Sequence, residues 1–375
     1  MSVPLNDLSR HWRVTEPLIR PAMERVLASG WFVLGPAVEA FQSDFAAYCG
    51  VSHCVGVANG TDALELALRA LDCTAGDEVV TVANAGMYAS AAIRAVGAMP
   101  RFVDIDPVRL TMAPAALEMA LAVPVKAVVV THLYGRLADM MELLAVADAH
   151  GVPVIEDCAQ AHGASRGGRR AGAWGTVGCF SFYPTKNLGA IGDSGAVVTD
   201  NDGLAATLKS LREYGWERKY HADLPGGRNS RLDELQAAVL GAKLPLLDEM
   251  NASRRAVAAR YAAAMADCDL ILPPEPDAAD AAHLFVVRTR ARTALRQMLQ
   301  EGGVATDVHY PVPDHRQAAF SGLPCCAVSL PETERAADEV LTLPCFPEIT
   351  DAEIETVIAA VREAASSSAS VIEGG

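Results

Sequence analysis

The sequence predicts an α/β protein: a large domain with a mostly parallel, seven-stranded sheet between helices, followed by a smaller α+β domain. Between about residues 50 and 200, short apolar runs alternate with helix-like segments, the pattern of strand–helix units in a parallel sheet. After a proline-rich stretch at 272–276, a strand-like run at 283–288 and further helical segments continue to about residue 365. At 375 residues the chain is longer than a single core usually supports. We therefore expect domains at 1–245 and 246–366 and a low-complexity, disordered tail at 367–375.

Seven apolar runs are predicted strands, and functional residues are expected at their carboxyl ends, where active sites of parallel sheets gather. Asn59, Asp157 and Ser181 stand at such ends. Amphipathic helices are predicted at 63–71 and 138–150, and the helical pattern returns from Leu232 to about Ala266. The predicted strands are Cys54–Ala58, Glu78–Val82, Arg101–Val103, Ala127–Thr131, Val152–Glu156, Cys179–Phe182 and Ala196–Thr199.

Composition and charge argue against several classes of function. The formal net charge is -15, and no run of Lys and Arg is interleaved with aromatic residues, which disfavours nucleic acid as a partner. The nine cysteines are dispersed and odd in number, with no pair at the gap of a zinc or redox motif, so we expect a reduced, cytoplasmic protein. No apolar run approaches membrane-spanning length, and the start lacks the features of a signal peptide. The histidines show no metal-ligand spacing, so no metal is predicted.

The most informative segment is Ser181–Gly189, which places Lys186 just past a short apolar strand in a turn rich in Pro and Gly. A lone loop lysine is usually solvated, and that interpretation of Lys186 alone is favoured by roughly ten to one. Upstream, however, the apolar strand at 152–156 leads into Asp157. A pyridoxal 5'-phosphate (PLP) site needs a desolvated lysine for the Schiff base. It also needs a carboxylate that keeps the pyridine nitrogen protonated, so that the ring acts as an electron sink.

A phosphate site is expected where the strand at 54–58 turns into a helix through Asn59, Gly60 and Thr61. The first N–H groups of a helix lack internal partners and lie at its positive end, where a phosphate is stabilised. A plainly capped helix is the alternative interpretation, because Thr and Asp are ordinary caps.

Four segments in this order resemble the DegT/DnrJ/EryC1/StrS family of sugar aminotransferases, which have the aspartate-aminotransferase type of PLP fold (type I). The resemblance runs from about Pro4 to Val361, nearly the whole chain. The segments that carry it are Asn59–Asp62, Glu156–Gly163, Ser181–Ala190 and Gly192–Ala196.

The resemblance implies a role for each matching residue. Lys186 forms the Schiff base with PLP, and Asp157 pairs with the pyridinium nitrogen; these two are the catalytic residues. Gln160 lies near the cofactor ring and its 3-hydroxyl group. Ser181, with the backbone of Gly60 and Thr61, holds the phosphate.

A further phosphate contact in the family comes from the neighbouring subunit, through an Asn that is matched here by Asn229. This implies a homodimer with two shared active sites. Taken singly, Asn229 is better interpreted as a turn residue before the helix that starts near Leu232.

One segment departs from the family pattern. The family commonly stacks an aromatic ring on PLP from a Thr-Phe-x-Ala-Thr type of segment. Here a gap-free comparison places Gly86 at the aromatic position and Tyr88 two residues later. Tyr88 is assigned to the cofactor ring, and an ordinary packed tyrosine is an equally good interpretation.

Substrate-binding residues are implied in three other segments. His309 and Tyr310 begin a run that resembles the family's substrate-side segment, although packing is the usual role of a lone His or Tyr. Trp31 lies in a stretch that resembles the loop bordering the sugar pocket, although such an apolar run is more often core. Lys219 and Tyr220 are placed to meet a diphosphate, although a solvated cation is the default for such a lysine.

The implied activity is PLP-dependent amino transfer from glutamate to a nucleotide-linked keto sugar, with pyridoxamine phosphate as the intermediate form of the cofactor. The segments at 219–220 and 227–234 look more like enzymes that aminate C3 of dTDP-3-keto-6-deoxyhexoses than like C4 enzymes. A C4 keto-sugar or a cyclitol ketone is the alternative substrate. A 3-dehydratase of the same family is disfavoured, because those enzymes replace the lysine with His. A PLP-binding regulator without turnover is the alternative of another class, and no separate nucleic-acid-binding module is visible for it.

Overall fold

The computed structural model describes residues 2–275 and 277–372, with side chains described as far as residue 365. The helices are α1 (Leu8–Ser29), α2 (Pro36–Cys49), α3 (Gly60–Ala70), α4 (Tyr88–Ala95), α5 (Pro114–Ala120), α6 (Met140–Ala149), α7 (Asp202–Leu211), α8 (Glu234–Lys243), α9 (Leu247–Ala264), α10 (Arg292–Glu301), α11 (Pro331–Glu339) and α12 (Asp351–Ile372). The strands are β1 (His53–Val57), β2 (Glu78–Val82), β3 (Met99–Val103), β4 (Ala127–Thr131), β5 (Val154–Asp157), β6 (Ser165–Arg166), β7 (Arg169–Arg170), β8 (Val177–Ser181), β9 (Gly195–Thr199), β10 (Trp216–Arg218), β11 (His221–Ala222), β12 (Phe285–Arg288) and β13 (Val340–Leu343).

Seven strands form the large sheet in the order β1-β9-β8-β5-β4-β2-β3. Neighbours pair in parallel from β8 through β5, β4 and β2 to β3, whereas β9 runs antiparallel to both β1 and β8. The sheet confirms the predicted seven-stranded, mostly parallel α/β architecture.

The strands are continuous apolar runs because helices cover both faces of the sheet, as is usual for parallel sheets. In β4, Val128 and Val130 belong to one buried cluster, and Ala127 and Val129 belong to another on the opposite face. This alternation follows from the two-residue period of a strand. Because both faces are packed with apolar side chains, polar functional side chains are expected mainly at the ends of the strands.

A second, two-stranded sheet lies after α9 in the chain and consists of β12 paired antiparallel with β13. Its neighbours in the sequence are α10, α11 and α12, the predicted α+β segment. The backbone of α12 is helical to Ile372, so it includes residues 367–372 of the tail predicted to be disordered. The rest of that tail, residues 373–375, lies outside the described residues. No helix among the described residues is both long and apolar enough to span a lipid bilayer.

One edge of the large sheet collects the residues expected to be functional. The strands β5 and β8 end at Asp157 and Ser181, and β1 ends two residues before Asn59. Because β9 runs in the opposite direction, its first residue, Gly195, lies at the same edge, paired with Ser181. The fold therefore concentrates the predicted residues at the carboxyl edge of the sheet.

Candidate active site

A cavity of about 770 Å³ opens at this edge. Residues at or after the ends of β1, β5 and β8 line one part of it. Another part is lined by Asp307, His309, Tyr310, Leu343 and Cys345, next to the second sheet. The fold thus brings distant parts of the sequence to one cavity. The predicted site residues that line it are Gly60, Thr61, Tyr88, Asp157, Gln160, Ser181, Lys186, His309 and Tyr310.

Lys186 lies in a tight loop between β8 and β9. Its backbone N–H donates to the carbonyl of Tyr183 at 2.8 Å. A Cβ on Gly189 would lie 2.4 Å from the carbonyl oxygen of Pro184, so the loop closes only with glycine at that position. The side chain of Lys186 reaches the cavity. Its amine makes no hydrogen bond to any group in residues 2–275 and 277–372, which leaves it available for chemistry.

The amine of Lys186 is tuned toward neutrality. Burial lowers its pKa from the ordinary value to about 8, against an opposing effect of the Asp157 carboxylate. At pH 7 about a tenth of the amine is then neutral, compared with well under a thousandth for a solvated lysine. A neutral amine is what a nucleophile or a general base requires.

Asp157 is the last residue of β5, and it is 4% exposed. One carboxylate oxygen accepts a hydrogen bond from the N–H of Ala159 at 3.2 Å, and the other accepts one from the hydroxyl of Thr131 at 3.4 Å. Burial raises the pKa of the Asp157 carboxyl, while the Ala159 N–H and the Lys186 cation act in the opposite direction. Such a carboxylate is stabilised by a cationic partner in the cavity, which a protonated ring nitrogen provides.

The start of α3 forms a cradle for an anion. Asn59 caps the helix by accepting a hydrogen bond from the N–H of Asp62 at 2.8 Å, and the N–H groups of Gly60 and Thr61 have no partner inside the helix. A Cβ on Gly60 would lie 2.5 Å from the Cβ of Ser181, so only glycine lets the helix start approach β8 this closely. The Ser181 hydroxyl and two helix N–H groups therefore border the same part of the cavity.

Gln160 is held with its amide in one orientation. Its Oε1 accepts a hydrogen bond from the backbone N–H of Tyr134 at 2.7 Å, and its Nε2 donates to the hydroxyl of Tyr310 at 3.1 Å. Tyr88 lies edge-on to Tyr310, with ring centroids 6.3 Å apart. His309 accompanies Tyr310 in the cavity wall, and burial lowers the pKa of its imidazole.

His283 also lines the cavity, although it is not among the site residues predicted from the sequence. Both N–H groups of the Asn187 amide are used, toward Asn251 Oδ1 and the carbonyl of Ala281. Its oxygen must therefore accept from His283 Nδ1, at 2.7 Å. Burial, together with the Lys186 cation, holds the pKa of His283 well below its ordinary value. The neutral imidazole of His283 thus borders the cavity with Nε2 as a hydrogen-bond acceptor. No local pattern in the sequence predicts this role for His283.

Four predicted residues do not line the cavity of their own chain. Trp31 is 54% exposed, and its ring N–H donates to the carbonyl of Val33. Lys219 and Tyr220 lie at the hairpin of β10 and β11, with Tyr220 76% exposed. Asn229 is also exposed, beside Arg228, which ion-pairs with α3. Within the described part of this chain, these four residues therefore make no contact with the cavity that would serve their predicted roles.

Among the side chains that the structure describes, one buried group has ligand atoms close enough together for a metal: His132, Glu156 and Cys158. Internal hydrogen bonds occupy it instead. The Glu156 carboxylate accepts from His132 Nε2 at 2.8 Å and from the backbone N–H groups at 172, 174 and 175. The other nitrogen of His132 accepts from the N–H of Ala138. Burial also raises the pKa of the Cys158 thiol well above its ordinary value, which disfavours the thiolate.

The site and the fold together are those of an aminotransferase, and comparison with known proteins gives the family. The model of the DegT/DnrJ/EryC1/StrS aminotransferase family matches residues 15–362. The chain belongs to this family, which confirms the resemblance seen in the sequence, and the family is PLP-dependent.

Relatives and solved structures agree with this placement. The dTDP-3-amino-3,4,6-trideoxy-alpha-D-glucose transaminase of Streptomyces venezuelae is 44% identical over 363 residues, which cover 96% of each chain. A pleiotropic regulatory protein of Geobacillus stearothermophilus is 41% identical over 367 residues, 97% of this chain and 98% of that protein. The crystal structure of S. venezuelae DesV with a ketimine intermediate has a TM-score of 0.93 and 44% identity, covering 97% of this chain and 98% of that one.

The residues of the cavity fit PLP. Gly60, Thr61 and Ser181 line the same part of the cavity, so a phosphate there would meet a hydroxyl and the free N–H groups of a helix N-terminus. Lys186 supplies a neutralisable amine, and Asp157 supplies a buried carboxylate. The donor set thus matches the aldehyde, ring nitrogen and phosphate of the cofactor.

Proposed function

We propose that this chain transfers an amino group from glutamate to a nucleotide-linked keto sugar, at C3 of a dTDP-3-keto-6-deoxyhexose. The observation that carries the proposal is the convergence of Lys186, Asp157 and the start of α3 on one cavity. The balance is that of a transamination: the amino acid becomes a 2-oxo acid, and the ketone becomes an amine.

Each residue has a defined task. Bound PLP supplies a conjugated ring that takes up electron density when a bond at the amino-acid Cα is broken, and it carries the amino group between the two substrates. Lys186 Nζ binds the cofactor and then takes and returns the proton at Cα, for which an amine pKa near 8 is suitable. Asp157 keeps the ring nitrogen protonated, and Ser181 with the helix start orients the phosphate.

The substrate assignment rests on relatives and on two segments of this chain. The 44%-identical S. venezuelae protein is named for a dTDP-linked 3-amino sugar. The segments at 219–220 and 227–234 look like those of C3 enzymes. A cavity of about 770 Å³ also leaves room for a sugar beside the cofactor.

We further propose a homodimer in which each active site takes residues from both subunits. Trp31, Lys219, Tyr220 and Asn229 lie outside the cavity of their own chain, so a second copy would give them a site to complete. Exposed large apolar side chains support this proposal, because apolar surface left in water favours association. Those at least 38% exposed include Trp31, Phe32, Val33, Tyr183 and Ile191.

The function is tested by measuring 2-oxoglutarate release from glutamate with a panel of nucleotide-linked keto sugars. We expect turnover with a dTDP-3-keto-6-deoxyhexose and much slower reaction with a 4-keto isomer or a cyclitol ketone. Product from the 4-keto sugar alone, or from the cyclitol ketone alone, would show that this compound is the substrate in place of the 3-keto sugar. The regulatory name of the 41%-identical relative favours a second candidate, a PLP-binding regulator. Tight PLP binding with no amino transfer to any ketone would support that candidate.

The shared site is tested by mixing subunits. Lys186→Ala and Asn229→Ala homodimers should each be impaired, because every site in them carries one lesion. A heterodimer would have one site with both lesions and one with neither, so activity should return toward half of the wild-type value per exchanged dimer.

Mass measurement of the mixed sample provides the control that heterodimers have formed. Confirmed heterodimers without any regained activity would show that Asn229 does not complete the partner's site.

A further inference from the structure

Gly86 and Tyr310 are in direct contact across the wall of the cavity. A Cβ built on Gly86 would lie 2.8 Å from Cζ of Tyr310, and 2.9 and 3.0 Å from its two Cε atoms. The distances to these three carbons are nearly equal, and each is shorter than the distance to the hydroxyl oxygen. The Cβ position of Gly86 therefore lies over the face of the ring and not at its edge. The backbone at Gly86 therefore packs against one face of the phenol ring of Tyr310.

The backbone of Gly86 has φ +77°, in the left-handed region that favours glycine. A larger residue at this position would be strained and would also displace the ring of Tyr310. Glycine at this position thus leaves the space that the ring of Tyr310 occupies.

The ring of Tyr310 is fixed at its far end and along its segment. Its hydroxyl accepts the hydrogen bond from Gln160. Four residues further on, the carboxylate of Asp314 accepts hydrogen bonds from the N–H of Met87 and the hydroxyl of Ser90, and its own N–H donates to the carbonyl of Ala83. The segment is therefore fastened on both sides of Gly86, which preorganises the ring.

Tyr310 also borders the same cavity as Asp157 and Lys186. Tyr88, the residue predicted from the sequence to contact the cofactor ring, lies edge-on to Tyr310 and is 49% exposed. Tyr310 is the more buried of the two tyrosines. One face of its ring packs against Gly86, and its hydroxyl is held by the hydrogen bond from Gln160. A flat, immobilised ring at the wall of a cavity is a stacking platform for another aromatic ring.

We infer that Tyr310 is the residue that stacks on the pyridine ring of PLP in this protein, and that Gly86 is required because it leaves room for Tyr310. The inference rests on the proposed PLP chemistry at Lys186 and Asp157. It gives Tyr310 a cofactor role in place of the substrate role implied by the family segment.

The test is the dissociation constant of PLP, measured by titrating cofactor-free protein and following the visible absorbance and circular dichroism of the bound cofactor. Tyr310→Ala should raise the Kd about tenfold, the scale of a stacked aromatic pair, and weaken the induced dichroism. Tyr310→Phe keeps the ring and should stay within about threefold of wild type. Tyr88→Ala should change the Kd less than about twofold.

The Gly86 contact is tested by a double-mutant cycle. Gly86→Ala should raise the Kd of PLP by a similar factor, whereas in the Tyr310→Ala background it should have little further effect, because the ring it displaces is gone. Gly50→Ala is the matched control for backbone strain, since Gly50 has φ +78° and nothing lies within 4 Å of its Cβ position. It should lower thermal stability without changing the Kd.

Two results would overturn the inference. One is a Tyr310→Ala protein that binds PLP as tightly as wild type; the other is full additivity of Gly86→Ala and Tyr310→Ala. Wild-type protein that fails to form the visible band with PLP would overturn the proposed function itself, so the two failures are distinguishable.

Discussion

Replacing Lys186 with alanine should reduce amino transfer by at least about a thousandfold, because one side chain supplies both the covalent attachment of the cofactor and the proton at the donor Cα. The visible absorbance of the cofactor–lysine linkage should be lost, while the circular dichroism of the backbone and the melting temperature stay close to wild type. Borohydride reduction of the wild-type protein with PLP, followed by mass mapping, should place the cofactor on Lys186.

The chain has five lysines, which makes this mapping unambiguous. Lys243→Met is the matched control, because burial lowers the pKa of the Lys243 amine to about 8 as well. Its amine donates to the carbonyl of Gly189 and lies outside the cavity lining. The control should lose stability and keep the labelled Lys186. A Lys186→Ala protein that transaminates at the wild-type rate would refute the assignment.

Asp157→Asn should reduce turnover by at least about a hundredfold, the scale seen when a positioned electrostatic partner is removed from a catalytic site. The amide keeps the shape of the side chain and removes the charge that holds the ring nitrogen protonated, so the electron sink weakens. Steady-state rates and the pH dependence of the cofactor absorbance measure the effect.

The preceding residue provides the control for this substitution. Glu156→Gln removes a carboxylate of similar burial on the opposite face of β5, where it accepts hydrogen bonds from residues 132, 172, 174 and 175. It should destabilise the protein by about 1–3 kcal/mol and leave the cofactor spectrum unchanged. Near-normal turnover of Asp157→Asn would show that another group protonates the ring.

The parts of the fold and site that were predictable are those with a local signal. The strand Ala127–Thr131 is observed at its predicted bounds, because burial on both faces makes its whole sequence apolar. Lys186 and Asp157 could be proposed from the sequence because each stands at a strand end, in a segment whose residue types suit a PLP site.

The parts that were not predictable depend on contacts between distant residues. The partners Gly86 and Tyr310 are 224 positions apart, and neither carries a mark of the other. The tautomer of His283 is set by the side-chain oxygen of Asn187, which is 96 positions away. Local propensity also misleads at α1, which contains Pro17 and Pro21 within its 22 residues. In each case tertiary packing decides the outcome, and a single sequence does not display packing.

Because two carboxylates with different tasks are adjacent in β5, the register of this one strand determines both the folding of the protein and its chemistry. Glu156 and Asp157 point to opposite faces, so a register shift of one position, or the deletion of one residue upstream in the strand, would turn both carboxylates to the wrong face. Neither the hydrogen-bonded position of Glu156 nor the cavity-facing position of Asp157 would then hold its own acid. Point substitutions can impair either task separately, but insertions and deletions in this strand should behave as all-or-none lesions in a scan of tolerated length changes.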